Sequence, residues 1–165
     1  MPPFWNNLQM HDRIEFYSVT EEYGCFSNFA LYEIRVDGKS WATWEHYFQT
    51  QKFEDIQQRE SIRKAKTPMI AARMGRDRKS KLRRDWESVK VSVMTDAVRA
   101  KFSQHAELGA ILVGTGSAFL VEHTENDAYW GDGGDGRGKN VLGQILMRVR
   151  SELQIAVTSR PKLKE

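Results

Sequence analysis

Two separated stretches carry residue types suited to chemistry on a polar ligand. Residues 122–143 read EHTENDAYWGDGGDGRGKNVLG, and Glu122, Glu125, Asp127, Asp132 and Asp135 follow one another with no lysine or arginine between them. Tyr129 and Trp130 interrupt the acids, and Gly131, Gly133, Gly134, Gly136 and Gly138 come next. Carboxylates beside large rings on a permissive backbone suit a pocket for a planar, polar ligand. The same composition also describes an acidic solvated turn. The second stretch, TWEHYFQTQKF over residues 43–53, puts Glu45, His46 and Gln49 among Trp44, Tyr47 and Phe48. Lys52 follows Glu45 by seven positions, so in a helix both project from one face. A glutamate in a first helical turn commonly just complements the helix dipole. Glu45 beside His46, Tyr47 and Trp44, after an aromatic hairpin, is of more interest than a lone first-turn glutamate but does not by itself mark a site.

Two nucleotide-binding templates also fit the glycine run and fail on context. GGDGRGKN, residues 133–140, has the GxxxxGK spacing, but Asn140 stands where a magnesium-binding Ser or Thr is needed and no apolar strand precedes it. The GxGxxG match at Gly131–Gly136 lacks the same strand. The spacing of the acids misses the calcium-loop pattern.

The elements that must position these residues follow from periodicity and turn chemistry. Ile14 to Tyr17 reads as a short strand. Tyr32 to Val36, the Asp37-Gly38 turn and Lys39 to Ala42 give the clearest hairpin signal. Thr43 is placed to cap a helix running to Phe53. A charged helix is expected over residues 54–66, then Thr67-Pro68 caps and begins another that stops at Gly75. Asp85 is expected to cap a long helix, Trp86 to about Gln104, with Val89, Val93, Met94, Ala97 and Phe102 on its buried face. A short helix over 105–113 ends at Gly114. Ala118 to Val121 forms a strand entering the acidic loop, and Asn140 caps a last helix over 141–153. The fold class is therefore mainly α (α+β): a single compact helical domain with a short strand or hairpin element near the N-terminus. Residues 1–13 are expected as a flexible arm, 14–155 as the domain and 156–165 as a basic flexible tail.

Composition sets the outer bounds. A chain of 165 residues, 40% hydrophobic and 28% charged, is one ordinary globular domain with a substantial core. The apolar runs are far too short for a membrane span, and the first residues lack a signal pattern. Cys25 is the one cysteine, so neither an intrachain disulfide nor a cysteine zinc site is possible, and a cytoplasmic location is the expectation. The net charge of +3 conceals an asymmetry: residues 59–101 hold 14 Lys and Arg against 5 Asp and Glu, a net of +9. A basic middle beside an acidic loop suits an anionic ligand group, although solvated helix faces account for most of these charges.

Several stretches taken together carry a resemblance. They are Phe26-Ser-Asn28-Phe29, Trp41-Ala-Thr-Trp-Glu45-His46-Tyr-Phe-Gln49, Ala72-Arg73-Met-Gly75-Arg76, Asp85-Trp86-Glu-Ser-Val-Lys90 and Lys101-Phe102. Glu122-His123-Thr-Glu-Asn126-Asp127-Ala-Tyr-Trp130-Gly131 and Gly138-Lys-Asn140-Val-Leu-Gly143 complete them. In this order, over roughly residues 14–153, the chain resembles the YbiA-like, or NADAR, family of N-glycosidases. The resemblance implies a mainly helical fold, no cofactor and no metal, and hydrolysis of an N-ribosyl bond. Bacterial and plant members act on ribosylamino-pyrimidine phosphates, the early intermediates of riboflavin synthesis, and other members remove ADP-ribose from guanine bases. The expected partner is thus a small phosphorylated ribosylamine, with nucleic acid only as a modified substrate and no membrane. Trp44 stands where close bacterial members often carry a smaller residue.

The chemistry of such a reaction matches the residues. Breaking a C1′–N bond builds positive charge on the ribose, which a carboxylate in a dry site stabilises. Glu45 and Asp127 are the candidates for that work, and Lys52 offers a different route, attack of a neutral amine on C1′ to give a Schiff base. Lys52 is equally readable as a helix-surface lysine paired with a neighbour. Trp130 and Trp86 offer faces for a pyrimidine, though a first-turn Trp86 also suits a core. Asn28 can bond ribose or base and Arg76 the phosphate, with His46, Gly131 and Asn140 completing the expected binding residues. Two other classes stay open: a nucleotide-binding module without turnover, and a metal hydrolase using His46, His123, Glu122 or Asp127, which no HxxxH or HxH spacing supports.

Overall fold

The computed structural model describes residues 13–159. Among them, β1 (Arg13–Phe16) leads through a short turn of 3-10 helix (Gly24–Phe26) to the hairpin of β2 (Ile34–Val36) and β3 (Lys39–Trp41). Helices α1 (Trp44–Thr50), α2 (Ile56–Arg63) and α3 (Pro68–Gly75) follow, then the long α4 (Trp86–Gln104) and α5 (Ala106–Gly114). β4 (Phe119–Glu122) and α6 (Val141–Thr158) close the chain, a mixed α+β fold that is mainly helical. Residues 1–12 of the expected arm and 160–165 of the expected tail lie outside the described residues, and α6 runs on to Thr158.

Local chemistry explains most of these boundaries. Asp37 and Gly38 both take positive φ, 54° and 72°, which is the turn that joins twisted antiparallel strands in two residues. Ile34 then pairs with Trp41 and Val36 with Lys39. Thr43, Asp55 and Thr67 each accept a bond from a first-turn backbone N–H, at His46, Gln58 and Ile70, and Pro68 takes the first-turn position where its missing N–H costs nothing.

Two expected caps work differently. Asp85 makes no side-chain cap bond and instead takes the Arg83 guanidinium at 2.6 and 2.9 Å. Asn140, at φ 50°, turns its amide away from α6: Oδ1 accepts from Glu122 N at 3.0 Å and Nδ2 donates to Leu120 O at 2.9 Å. It thereby acts as a one-residue strand neighbour for β4, satisfying groups that would otherwise be buried unpaired.

On its other edge β4 pairs with β1 in parallel, Arg13 with Phe119 through Phe16 with Glu122. The strand expected to end at Val121 extends to Glu122, so the first acid of the supposed loop belongs to a sheet. Phe16, Phe26, Ile34, Trp44, Phe102, Leu120, Leu142 and Leu146 form the centre of the core between this sheet, α1, α4 and α6. A satellite cluster of Phe53, Ile62 and Ala71 holds α2 and α3 against the end of α1.

Gly143 marks where α6 crosses β4: a Cβ there would lie 2.1 Å from Leu120 O and 2.4 Å from the Asn140 amide. Gly143→Ala is expected to cost roughly 1–3 kcal/mol, because the obstacle is backbone and cannot rotate away. Urea unfolding followed by circular dichroism checks this as a lower midpoint at unchanged slope.

Candidate active site

Helix α1 supplies one wall. Its first turn buries Glu45 to 2% exposure, and both carboxylate oxygens are held by amides: Asn28 Nδ2 at 2.6 Å on Oε2 and Gln49 Nε2 at 2.7 Å on Oε1. Burial pushes the Glu45 pKa up, while these two donors and the nearby charges of Lys52 and Arg76 pull it down. One turn beyond, Phe48 stands edge-on to Trp130 at 5.4 Å and to Trp86 at 5.1 Å between ring centroids. Lys52 Nζ sits 5.6 Å from the Phe48 ring centre and 3.4 Å from the Gly75 carbonyl that ends α3. Burial lowers the Lys52 pKa and Arg76 lowers it further, with Glu45 opposing. A larger fraction of this lysine is therefore a neutral amine near pH 7 than for a solvated one.

The acidic segment forms the facing wall, and it is an ordered platform. Asp132, 3% exposed, accepts from Thr124 N and Gly134 N and from His123 Nδ1 at 2.8 Å, with Arg13 at 3.5 Å. Asp127 Oδ1 accepts from Tyr129 N at 2.8 Å and Trp130 N at 2.7 Å, which folds the Trp130 ring towards Phe48. Glu122 projects from the end of β4 at 9% exposure. Burial, with Asp127, Glu45 and Asp132 adding like charge, pushes its carboxyl up to about 7.

Between these walls lies a cavity of about 320 Å³, the size of a small-molecule site. Six of the expected residues line it together: Asn28, Glu45, Lys52, Arg76, Asp127 and Trp130. A larger surface hollow of about 560 Å³ along β1 contains neither Glu45 nor Asp127.

The other four expected residues take different positions. His46 is 1% exposed and points to the far side of α1, its ring nitrogens facing Thr43 Oγ1 at 2.8 Å and the Ala65 carbonyl at 3.0 Å. Trp86, 5% exposed, backs Phe48 from behind and does not line the cavity. Gly131 is where the loop folds on itself, since a Cβ would lie 2.7 Å from Thr124 Cγ2 and 2.8 Å from Glu122 O. Asn140 serves β4 as described. Asn28 does line the cavity, but its Nδ2 is committed to Glu45, so it orients the carboxylate. Gln49 and Glu122 are polar liners that were not among the expected site residues. Gln49 was legible from spacing, since it follows Glu45 by four positions on the same face. Among the described residues no group of three or more His, Cys, Asp or Glu is arranged to hold a metal ion.

Comparison with known proteins settles the family. The NADAR domain matches residues 15–154, 85% of the chain. The chain belongs to the NADAR family. It is 63% identical over 142 residues to N-glycosidase YbiA of Escherichia coli strain K12, covering 86% of this chain and 89% of that one. A riboflavin biosynthesis protein of Vibrio vulnificus is 44% identical over 145 residues, which span 88% of this chain and 40% of the longer relative. The NMR structure of E. coli YbiA superimposes with a TM-score of 0.87 at 58% identity, covering 94% of this chain and 93% of that one. This NADAR protein is accordingly a hydrolase of N-glycosyl bonds. Among the described residues no helix is long and apolar enough to cross a membrane.

Proposed function

We propose that this chain hydrolyses the C1′–N bond of ribosylamino-pyrimidine 5′-phosphates, intermediates of riboflavin synthesis, releasing ribose 5-phosphate and the aminopyrimidine. The observation that carries the reading is the buried Glu45 carboxylate, fixed by two amide donors and facing a cavity of about 320 Å³ closed by Phe48 and Trp130. A negative charge so oriented stabilises positive charge growing on C1′ and needs no reorganisation when the bond breaks. The volume suits one ring and one sugar phosphate. The link of the Vibrio vulnificus relative to riboflavin biosynthesis supports the same substrate class.

Each liner has a role in this scheme. Trp130 stacks on the pyrimidine, and Asp127 holds the Trp130 segment by its two backbone amides while adding negative charge near the sugar. Lys52 is the nucleophile: its neutral Nζ bonds to C1′ as the C1′–N electron pair passes to the leaving nitrogen, which takes a proton. The sugar opens to an imine, and water returns the lysine. Arg76 stands exposed at the mouth, at the end of α3, where its guanidinium meets a phosphate.

Purified protein, without added metal or cofactor, is expected to release ribose 5-phosphate from such a substrate. It should turn over the dephosphorylated ribosylamine about ten- to a hundredfold less well, the value of a charge-assisted anchor. Arg76→Ala should erase that preference. Chromatographic assay of free pyrimidine from both substrates checks it, and equal wild-type rates would remove the phosphate from recognition. One observation favours a larger ligand: Arg76 also borders a depression of about 590 Å³ with Met69, Arg73 and Met74, room for the second half of an ADP-ribose. Cleavage of ADP-ribosylated guanine alone, with pyrimidine ribosylamines untouched, would select that reading.

A further inference from the structure

Glu122 is the one carboxyl of the cavity with no hydrogen-bond or ion-pair partner among the described residues, and its backbone is fixed on both sides. Its N–H donates to Asn140 Oδ1 at 3.0 Å and its carbonyl accepts from Asp132 N at 2.9 Å. The side chain therefore leaves a rigid strand end and enters the cavity from the wall opposite Glu45. The charges around it are like charges, Glu45 from α1 and Asp127 and Asp132 from the acidic segment. Lys52 from α1 and Arg76 from α3 share the cavity, β1 contributes Tyr17 just past its end, and α6 contributes only the apolar Leu142.

A carboxyl pressed by like charge and deprived of donors favours its protonated form, whereas at Glu45 burial also raises the pKa but two amide donors and the Lys52 and Arg76 charges work toward the anion. The pair thus divides two tasks that a C–N hydrolase needs.

We infer that Glu122 is the proton carrier of this site, a further catalytic residue. Its carboxylic acid O–H protonates the leaving nitrogen while the C1′–N electron pair moves onto that nitrogen. The resulting carboxylate then takes a proton from the water whose oxygen bonds to C1′ of the Lys52 imine. That proton passes to Nζ as the C1′–Nζ bond breaks and the free lysine and sugar are released, and the proton Nζ shed on forming the imine returns to Glu122 to restore the acid. The sum is one water consumed, one amine and one sugar released. This rests on the ribosylamine reading above.

The test is Glu122→Gln, which keeps shape and hydrogen bonding but carries no transferable proton. On a ribosylamine 5′-phosphate with a strongly basic leaving amine, kcat should fall about a hundredfold or more with KM nearly unchanged. On a nitroaniline ribosylamine 5′-phosphate, whose amine departs without prior protonation, the loss should shrink to about tenfold or less. The wild-type kcat should fall as pH rises through about 7, the value to which burial and like charge raise this carboxyl, and the variant should lose that limb. Equal losses on both leaving groups would reduce Glu122 to a structural part and overturn the inference. So would full activity of the variant, or, should the variant not fold, a Glu122 carboxyl in wild type that titrates near the ordinary glutamate value by carbon-13 NMR. A wild type inert on every ribosylamine would overturn the substrate reading and this inference with it, while an active wild type with an active variant overturns the inference alone.

Discussion

Glu45→Gln should lose about a hundredfold or more in kcat on any ribosylamine substrate, while unfolding close to the wild-type midpoint. The expectation separates charge from shape. Glu45 is buried, and both of its partners are primary amides. Either amide can rotate to offer oxygen in place of nitrogen, so the neutral side chain keeps two hydrogen bonds and the same volume. What disappears is the negative charge beside C1′, and in a site this dry one well-aimed charge is worth roughly 3–4 kcal/mol in the transition state. Removing a buried charge also removes its desolvation cost, so stability should hold. Single-turnover release of free pyrimidine together with a thermal melt checks both halves. Wild-type turnover in the variant would take Glu45 out of the chemistry.

The second large effect concerns Lys52. Borohydride added during turnover should reduce the imine and leave a ribosyl phosphate adduct on this one lysine, located by peptide mass spectrometry. Lys52→Ala should lose at least about a hundredfold, and Lys52→Arg should lose nearly as much, because a guanidinium keeps the charge but offers no neutral nitrogen near pH 7. The pH dependence has a definite sign. Burial lowers the Lys52 pKa, the neutral amine is the proposed nucleophile, and a lysine-dependent limb should therefore rise with pH through that lowered value. Absence of an adduct, with Lys52→Ala still active, would leave water as the nucleophile opposite Glu45.

What the sequence revealed divides along local and distant interactions. The Asp37-Gly38 turn, the Thr43, Asp55 and Thr67 caps and the length of α4 depend on neighbours within four residues, and such signals are written in the chain itself. The six residues that converge on the cavity came from the family resemblance joined to side-chain chemistry. The helix period then explains a misplacement. Glu45, Gln49 and Lys52 share a face, whereas His46, one position on, points about 100° away to the Ala65 carbonyl. Asn140 and Asp85 sit where capping residues belong, but β4 and Arg83 offer their side chains better partners, which no local rule anticipates. Glu122 was hidden for a similar reason. It follows an apolar run and begins an acidic one, and only the pairing of Phe16 with Glu122 shows that it stands on the strand side of that border.

That same pairing has a consequence for how the protein comes into being. Arg13 and Asp132, which meet at 3.5 Å, are 119 positions apart in the chain. The cavity wall on α1 belongs to the first part of the polypeptide, and the residues that line the other side begin at the end of β4, which pairs with β1. Closing so long a loop is entropically costly and slow relative to helix formation. Until residues 119–142 are made, Glu45 and Lys52 on α1 lack the Glu122, Asp127, Trp130 and Leu142 side of the cavity. The parallel strand pair joins the two sides of that cavity, so the candidate site is complete only when both ends of the described chain have come together.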